Sequence, residues 1–259
     1  MNKIDYIEFW ATKHCNLNCK GCSSCSPISE EWFLEPDALK RDLNRLKELE
    51  IDFNNINILG GEPLLHPNLL KIFEVVKTVY PDCKLGLLTN GILLTQMDDL
   101  FWKMCSEYKI MLKVTCFPIL AKEEVSKIRE LMNFYNVEYH LTNKTKFNKI
   151  LVENNSDNLE DIISACGCNY AYNLYNGQIS RCTVPMITET FNKYFHTNLI
   201  TEGKINIYES TAEEIMVFLA MPNKSCLNCS SKPIKVEWGK AGKNPQKYDW
   251  IIGETEYGI

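Results

Sequence analysis

Over its first 150 residues the chain alternates short apolar runs with helical stripes, and this alternation constrains the fold more than any other feature. Tyr6–Trp10 is a short apolar run followed by a cysteine-rich loop, Cys15–Cys25. Pro36–Leu49 carries Leu39, Leu43, Leu46 and Leu49 at helical spacing, with Pro36 suited to a first turn. Ile56–Leu59 is a strand stopped by Gly60-Gly61, Asn68–Tyr80 is helical, and Lys84–Leu88 is a strand ending at Thr89-Asn90-Gly91. Asp98–Tyr108 reads as helix and Met111–Thr115 as strand. Lys122–Tyr135 is a helix striped by Val125, Ile128, Leu131 and Met132, and Val137–Leu141 is a strand. Repeated units of this length predict an α/β fold with parallel strands and right-handed crossovers. Such a sheet, open or closed as a barrel, places its chemistry in the loops after the strands' C-terminal ends.

The pattern changes after about residue 155. Asn158–Ala165 reads as a short helix, and Tyr170–Leu174 with Gln178–Cys182 as a hairpin around Asn176-Gly177, a favoured turn pair. Thr211–Met221 is a helix whose Thr211 and Glu214 form a capping box, and Cys226-Leu-Asn-Cys229 follows it. These boundaries predict a first domain over 1–150, a small module over 155–235 and a tail over 236–259. Trp238 and Trp250 in that tail are expected to serve the core.

Other function classes recede on composition. The net charge of −5 and the lack of a basic stretch argue against nucleic acid. No apolar run approaches a membrane span, and Met1–Tyr6 leads straight into a strand without a signal peptide, so a cytoplasmic protein is expected. Twelve cysteines then stand out. In a reducing compartment such density points to metal or redox chemistry, and clustering at both ends of the chain favours metal sites over a disulfide framework.

Cys15, Cys19 and Cys22 share one short loop after the first strand. Three thiolates there can hold three irons of a [4Fe–4S] cube and leave the fourth iron open to a substrate or cofactor, whereas zinc favours paired ligands, four in all. This C-x-x-x-C-x-x-C loop resembles that of the radical S-adenosylmethionine (SAM) enzymes. Gly60-Gly61-Glu62-Pro63 at the end of the second strand resembles that family's G-G-E-P motif, and Thr89-Asn90-Gly91 at the end of the third matches another family feature.

The resemblance implies a partial (β/α)6 barrel of the TIM type and a reductive reaction. SAM would chelate the open iron of the Cys15/Cys19/Cys22 cluster. Gly61 and Glu62 would hold its methionine amino group, with Gly60 and Pro63 in the same cofactor-binding motif and Thr89 and Asn90 near the ribose or methionine; Thr115, ending strand four, either faces SAM or is a plain core-edge threonine. One electron would split SAM into methionine and a 5′-deoxyadenosyl radical that takes hydrogen from a substrate C–H bond. A flavodoxin- or ferredoxin-type donor would supply the electron. Many members carry an aromatic residue before the third cysteine to pack on adenine; this chain has Gly21. Cys25 would close the open iron as a ligand, and is read as a buried or loop thiol.

Cys166 or Cys168, with Cys182, Cys226 and Cys229, resembles the twitch domain, a shorter relative of the SPASM extension that holds one auxiliary [4Fe–4S] cluster. Cys166 fits the opening spacing better than Cys168. A zinc knuckle would use the same ligands. An auxiliary cluster implies oxidation of a substrate radical or a role in peptide crosslinking. Compact radical SAM–twitch chains include an aminocyclitol dehydrogenase, which points to an oxidoreductase acting on a small carbohydrate or cyclitol. The other readings are a peptide-modifying maturase, an epimerase with Cys116 as hydrogen donor against its reading as a buried small hydrophobe, and a non-catalytic iron–sulfur or zinc protein.

Overall fold

The computed structural model describes residues 2–167 and 171–253. Contacts within the chain divide these into two compact units, residues 2–16 with 31–145, and residues 17–30 with 146–253.

The first unit is a parallel sheet with helices between its strands. Its strands are β1 (Asn2–Thr12), β2 (Ile51–Gly60), β3 (Lys84–Thr89), β4 (Met111–Cys116) and β5 (Tyr139–Asn143). They lie in the spatial order β5-β4-β3-β2-β1, every pair parallel. The connections carry α1 (Pro36–Glu48), α2 (Leu69–Val79), α3 (Asp99–Glu107) and α4 (Lys122–Phe134). This is the expected α/β partial-barrel class. Strand residues alternate faces with period two, and the register makes the two faces chemically distinct. Ile7, Ile56 and Leu85 form one row and Phe9, Ile58, Leu87 and Leu112 the next, all buried. Leu39, Leu43 and Leu46 of α1 are also buried, each contributing about 1.5–3 kcal/mol. The opposite, inner face carries Tyr6, Glu8, Asn57, Gly86 and Lys113.

One boundary moved for a local reason. Asn136 adopts left-handed φ at 53° and the Val137 amide donates to the Met132 carbonyl, so helix termination occupies Val137 and β5 begins at Tyr139. Residues 146–151, to which the sequence assigns no element, form β6 (Lys146–Leu151) and pair antiparallel with β10 (Cys229–Glu237).

The second unit contains that ladder and a small antiparallel sheet, β7 (Tyr172–Tyr175), β8 (Gln178–Ser180) and β9 (Lys204–Asn206). The β7–β8 turn falls at Asn176-Gly177, with φ of 47° and 69°, the double positive φ that this residue pair favours. Its helices are α5 (Leu159–Ala165), α6 (Val184–Phe195) and α7 (Ala212–Ala220). The expected capping box is present, with Glu214 N–H donating to Thr211 Oγ1 and the Thr211 N–H donating to Glu214 Oε2. Trp250 is 3% exposed and its ring meets Phe191 and Phe195.

Candidate active site

The end of β2 closes against the end of β1. Gly61 N–H donates to the Thr12 carbonyl at 2.7 Å and Glu62 N–H to the His14 carbonyl at 2.8 Å. The approach leaves no room for side chains. A Cβ at Gly60 would lie 2.2 Å from the Thr12 oxygen, and one at Gly61 2.1 Å from the His14 oxygen. Two consecutive glycines are therefore required where the strand end meets the residues leading into Cys15.

Glu62 is fully buried. Its Oε1 accepts from Thr89 Oγ1 at 2.7 Å and from Leu64 N–H at 3.1 Å, and its Oε2 accepts from Asn90 N–H at 2.8 Å. Burial pushes its carboxyl up to about 7, while the donors from Thr89, Asn90 and Leu64 pull it back. Pro63 is buried and opens the short turn Pro63–Leu65 that aims the Leu64 amide at the carboxylate. Asn90 Nδ2 donates to Asn16 Oδ1 at 2.7 Å and reaches Cys15 Sγ at 4.0 Å. Gly60, Gly61, Glu62, Pro63, Thr89, Asn90 and Cys15 are thus brought together. Thr115 is half-buried on the inner face, on the strand that carries Lys113.

Cys116 lies on the other face of β4. It alternates with Leu112 and Val114, opposite Lys113 and Thr115, is 7% exposed, and burial pushes its thiol up. The structure does not bring it to the inner face.

The inner face holds a polar group that the strand pattern concealed. Glu8 pairs in register with Asn57, and Asn57 with Gly86. Tyr6 Oη donates to Glu8 Oε2 at 2.8 Å, and Lys113 Nζ donates to Asn57 Oδ1 at 2.7 Å. Gly86 makes space for this, since a Cβ there would lie 2.2 Å from Asn57 Oδ1. Burial holds the Lys113 ammonium below its usual range, partly offset by Glu8. Asn57 is 1% exposed and its Nδ2 has no hydrogen-bond partner among the described residues.

In the second unit, Cys19 is buried and Cys22 half-buried. Trp238 Nε1 donates to Cys19 Sγ at 3.2 Å, and Trp250 Nε1 to the Cys22 carbonyl at 2.9 Å. Trp238 is half-buried, so its expected core role is corrected to a contact with this loop. Gly21 adopts φ of 63°, and a Cβ there would lie 3.3 Å from the Asp249 carbonyl oxygen, which accounts for glycine in place of an aromatic residue. Cys25 is fully buried.

Cys166 caps the end of α5, Cys182 follows β8, Cys226 lies in the turn Lys224–Asn228 and Cys229 opens β10. All four are half-buried, and α5 packs on both that turn and β10. Cys168 lies outside the described residues. Among the described residues, no three His, Cys, Asp or Glu side chains converge on one ion-sized position. No helix there is long and apolar enough to cross a membrane.

Residues 11–166 match the sequence model of the Radical SAM superfamily, and the chain belongs to that superfamily. It is a radical SAM enzyme. Curated relatives include the GTP 3′,8-cyclase of Trichodesmium erythraeum (strain IMS101), 33% identical over 102 residues, 38% of this chain and 30% of that protein. The GTP 3′,8-cyclase of Aliarcobacter butzleri (strain RM4018) is 35% identical over 98 residues, 37% of this chain and 30% of that protein. The chain therefore spans under a third of the length of these relatives. The fold is shared with BtrN in complex with AdoMet and 2-DOIA (TM-score 0.60, 18% identity, 97% of this chain and 100% of that one). It is also shared with native anSMEcpe with bound AdoMet (TM-score 0.56, 14% identity, 86% of this chain and 83% of that one).

Family membership brings a [4Fe–4S] cluster and SAM. The donor set fits both. Cys15, Cys19 and Cys22 are thiols on one stretch of the sequence, and a buried carboxylate with both oxygens held stands at the strand end that meets the residues leading into Cys15.

Proposed function

We propose that this radical SAM enzyme oxidises a small, polar, hydroxyl-bearing metabolite of the carbohydrate or cyclitol kind. Cys15, Cys19 and Cys22 are assigned to the SAM-binding cluster, and Cys182, Cys226 and Cys229 with Cys166 or Cys168 to an auxiliary [4Fe–4S] cluster in a twitch-like module. Residues 1–150 carry the barrel, 155–235 the module and 236–259 the tail. When bound, the cluster and SAM supply the hydrogen-abstracting radical. Glu62 would hold the SAM amino group, and the pinch at Gly60-Gly61 keeps the end of β2 against the residues leading into Cys15.

The observation that carries the substrate class is the polar inner face. Glu8, Asn57 and Lys113 stand on three strands, and the spare Asn57 amide is a donor that a substrate oxygen would satisfy. Lys113, with its charged form disfavoured by burial, is the group suited to take a hydroxyl proton. The second electron would pass to the auxiliary cluster, and the first would come from a flavodoxin- or ferredoxin-type protein. An epimerase reading has less support, because Cys116 faces away from this row. The names of the curated relatives add GTP to the substrate panel.

The test is anaerobic reconstitution with iron and sulfide counting, then dithionite, SAM and a panel of deuterated cyclitols, sugars, peptides and GTP. Two cubane clusters give about eight irons per chain. Deuterium transfer into 5′-deoxyadenosine from a cyclitol or sugar is the expected result; transfer only from peptides or GTP overturns the substrate class. Lys113→Met is expected to lower substrate-stimulated SAM cleavage at least tenfold more than unstimulated cleavage.

A further inference from the structure

The cysteine loop is strapped by the tail. Lys20 N–H donates to the Gly239 carbonyl at 2.8 Å and Ala241 N–H to the Asn18 carbonyl at 2.7 Å, so Cys19 and Lys240 face each other in a short antiparallel bridge. Asn18 Nδ2 bonds the Gly242 carbonyl, and Lys20 Nζ lies 3.3 Å from Asp249. Farther along, Trp250 Nε1 holds the Cys22 carbonyl. These rungs fix the backbone on both sides of Cys19, and the indole N–H of Trp238 donates to its sulfur at 3.2 Å.

We propose that Trp238 is a positioning residue for the SAM-binding cluster, which it makes easier to reduce by donating an N–H···S bond to the Cys19 thiolate. The inference rests on Cys19 being a cluster ligand. One-electron reduction adds negative charge that spreads onto the ligand sulfurs, and an N–H dipole with its positive end on sulfur stabilises that charge. Hydrogen bonds to the sulfurs are among the factors that set iron–sulfur potentials. Cys19 is 7% exposed, so water screens this dipole little. A tryptophan suits the place because its indole nitrogen is a donor only, unable to turn a lone pair towards a thiolate. The strap matters because it prevents the ring and the sulfur from drifting apart when the cluster changes charge.

The test is a dithionite titration of the reconstituted protein followed by EPR, with and without SAM. The signal that changes on SAM addition belongs to the open-iron cluster. Trp238→Phe keeps an aromatic ring and removes the donor. It is expected to make that cluster roughly tenfold harder to reduce, about 59 mV for a one-electron couple. Lys20→Arg, which keeps the positive charge beside Asp249, is expected to leave the potential in place. The wild-type protein offers a readout that needs no variant to fold: with 15N-indole tryptophan, electron–nuclear double resonance should show a nitrogen coupled to the SAM-sensitive cluster. An unchanged potential in Trp238→Phe, or no such coupling in the wild type, overturns the inference and leaves the ligand assignment standing. A Cys19→Ala variant that retains the SAM-sensitive signal overturns the ligand assignment itself.

Discussion

Thr89 Oγ1, at the end of β3, donates a 2.7 Å hydrogen bond to Glu62 Oε1, just beyond the end of β2, and so ties two neighbouring strand ends through one buried carboxyl group. That carboxyl titrates at about 7, above its ordinary 4.5, because burial outweighs the donors around it. With the folded value raised, the stability due to protonated Glu62 is fully present below about 4.5 and is lost as pH rises through about 7. The SAM-free protein should therefore lose stability between about pH 4.5 and 7, by on the order of 3 kcal/mol at most. SAM affinity should rise over the same interval, because on the proposed assignment the ionised carboxylate accepts from its amino group. Calorimetric binding and melting curves across this range check both, and Glu62→Gln should flatten both slopes.

Removing the Thr89 hydroxyl deletes a donor that favours the ionised form. Thr89→Val should raise the Glu62 value further and move the pH profile of SAM binding upwards. Affinity at pH 7 should fall about tenfold, as expected for a hydrogen bond to a charged group. A Thr89→Val profile that overlays the wild type would show that Glu62 does not meet the ligand.

Gly61→Ala places a methyl group 2.1 Å from the His14 carbonyl oxygen and 2.9 Å from that of Lys13, backbone atoms that yield only by moving the lead-in to Cys15. A loss on the order of 2–3 kcal/mol is expected. SAM cleavage should fall more than iron content. Gly239→Ala is the control, since its nearest neighbour would be Lys20 Cδ at 3.9 Å; its melting temperature should match the wild type.

Features that depend on residues near each other in the chain were readable in the sequence. The leucines of α1, the Asn176-Gly177 turn and the Thr211–Glu214 capping box all follow from local periodicity and side-chain chemistry. The glycine pair and Glu62 were readable because the family motif names them. The inner polar group was missed because Asn57 sits inside the apolar run Ile56–Leu59, and its partner Lys113 is 56 residues away. Helix α6 was missed because Val184, Ile187 and Thr188 lower helix propensity, although Pro185 in its first turn was an available signal. The contact between Trp238 and Cys19 spans 219 residues, and no local pattern encodes it.

Gly86→Ala tests the inner polar group without replacing a charged residue. Its methyl group would meet Asn57 Oδ1 at 2.2 Å and Lys113 Cε at 3.3 Å, so the two side chains must part. These are side-chain atoms, so stability should fall less than in Gly61→Ala. Substrate-stimulated SAM cleavage should fall at least tenfold, chiefly through a higher KM. Equal losses with and without substrate would detach this row from substrate binding.

The auxiliary assignment is tested by counting. Cys226 lies in the turn that leads to β10 and Cys229 begins that strand, which pairs with β6, so losing both thiols leaves the β10–β6 ladder intact while removing half of the proposed four-cysteine ligand set. Cys226→Ala/Cys229→Ala should retain about four irons of about eight, and the Cys15/Cys19/Cys22 triple-alanine variant should retain the other four. The double variant should still cleave SAM to 5′-deoxyadenosine and lose oxidised product, because the acceptor for the second electron is gone. Zinc at one equivalent per chain, absent from the double variant, would instead make the second unit a structural metal module, and the dehydrogenase reading would fall with it.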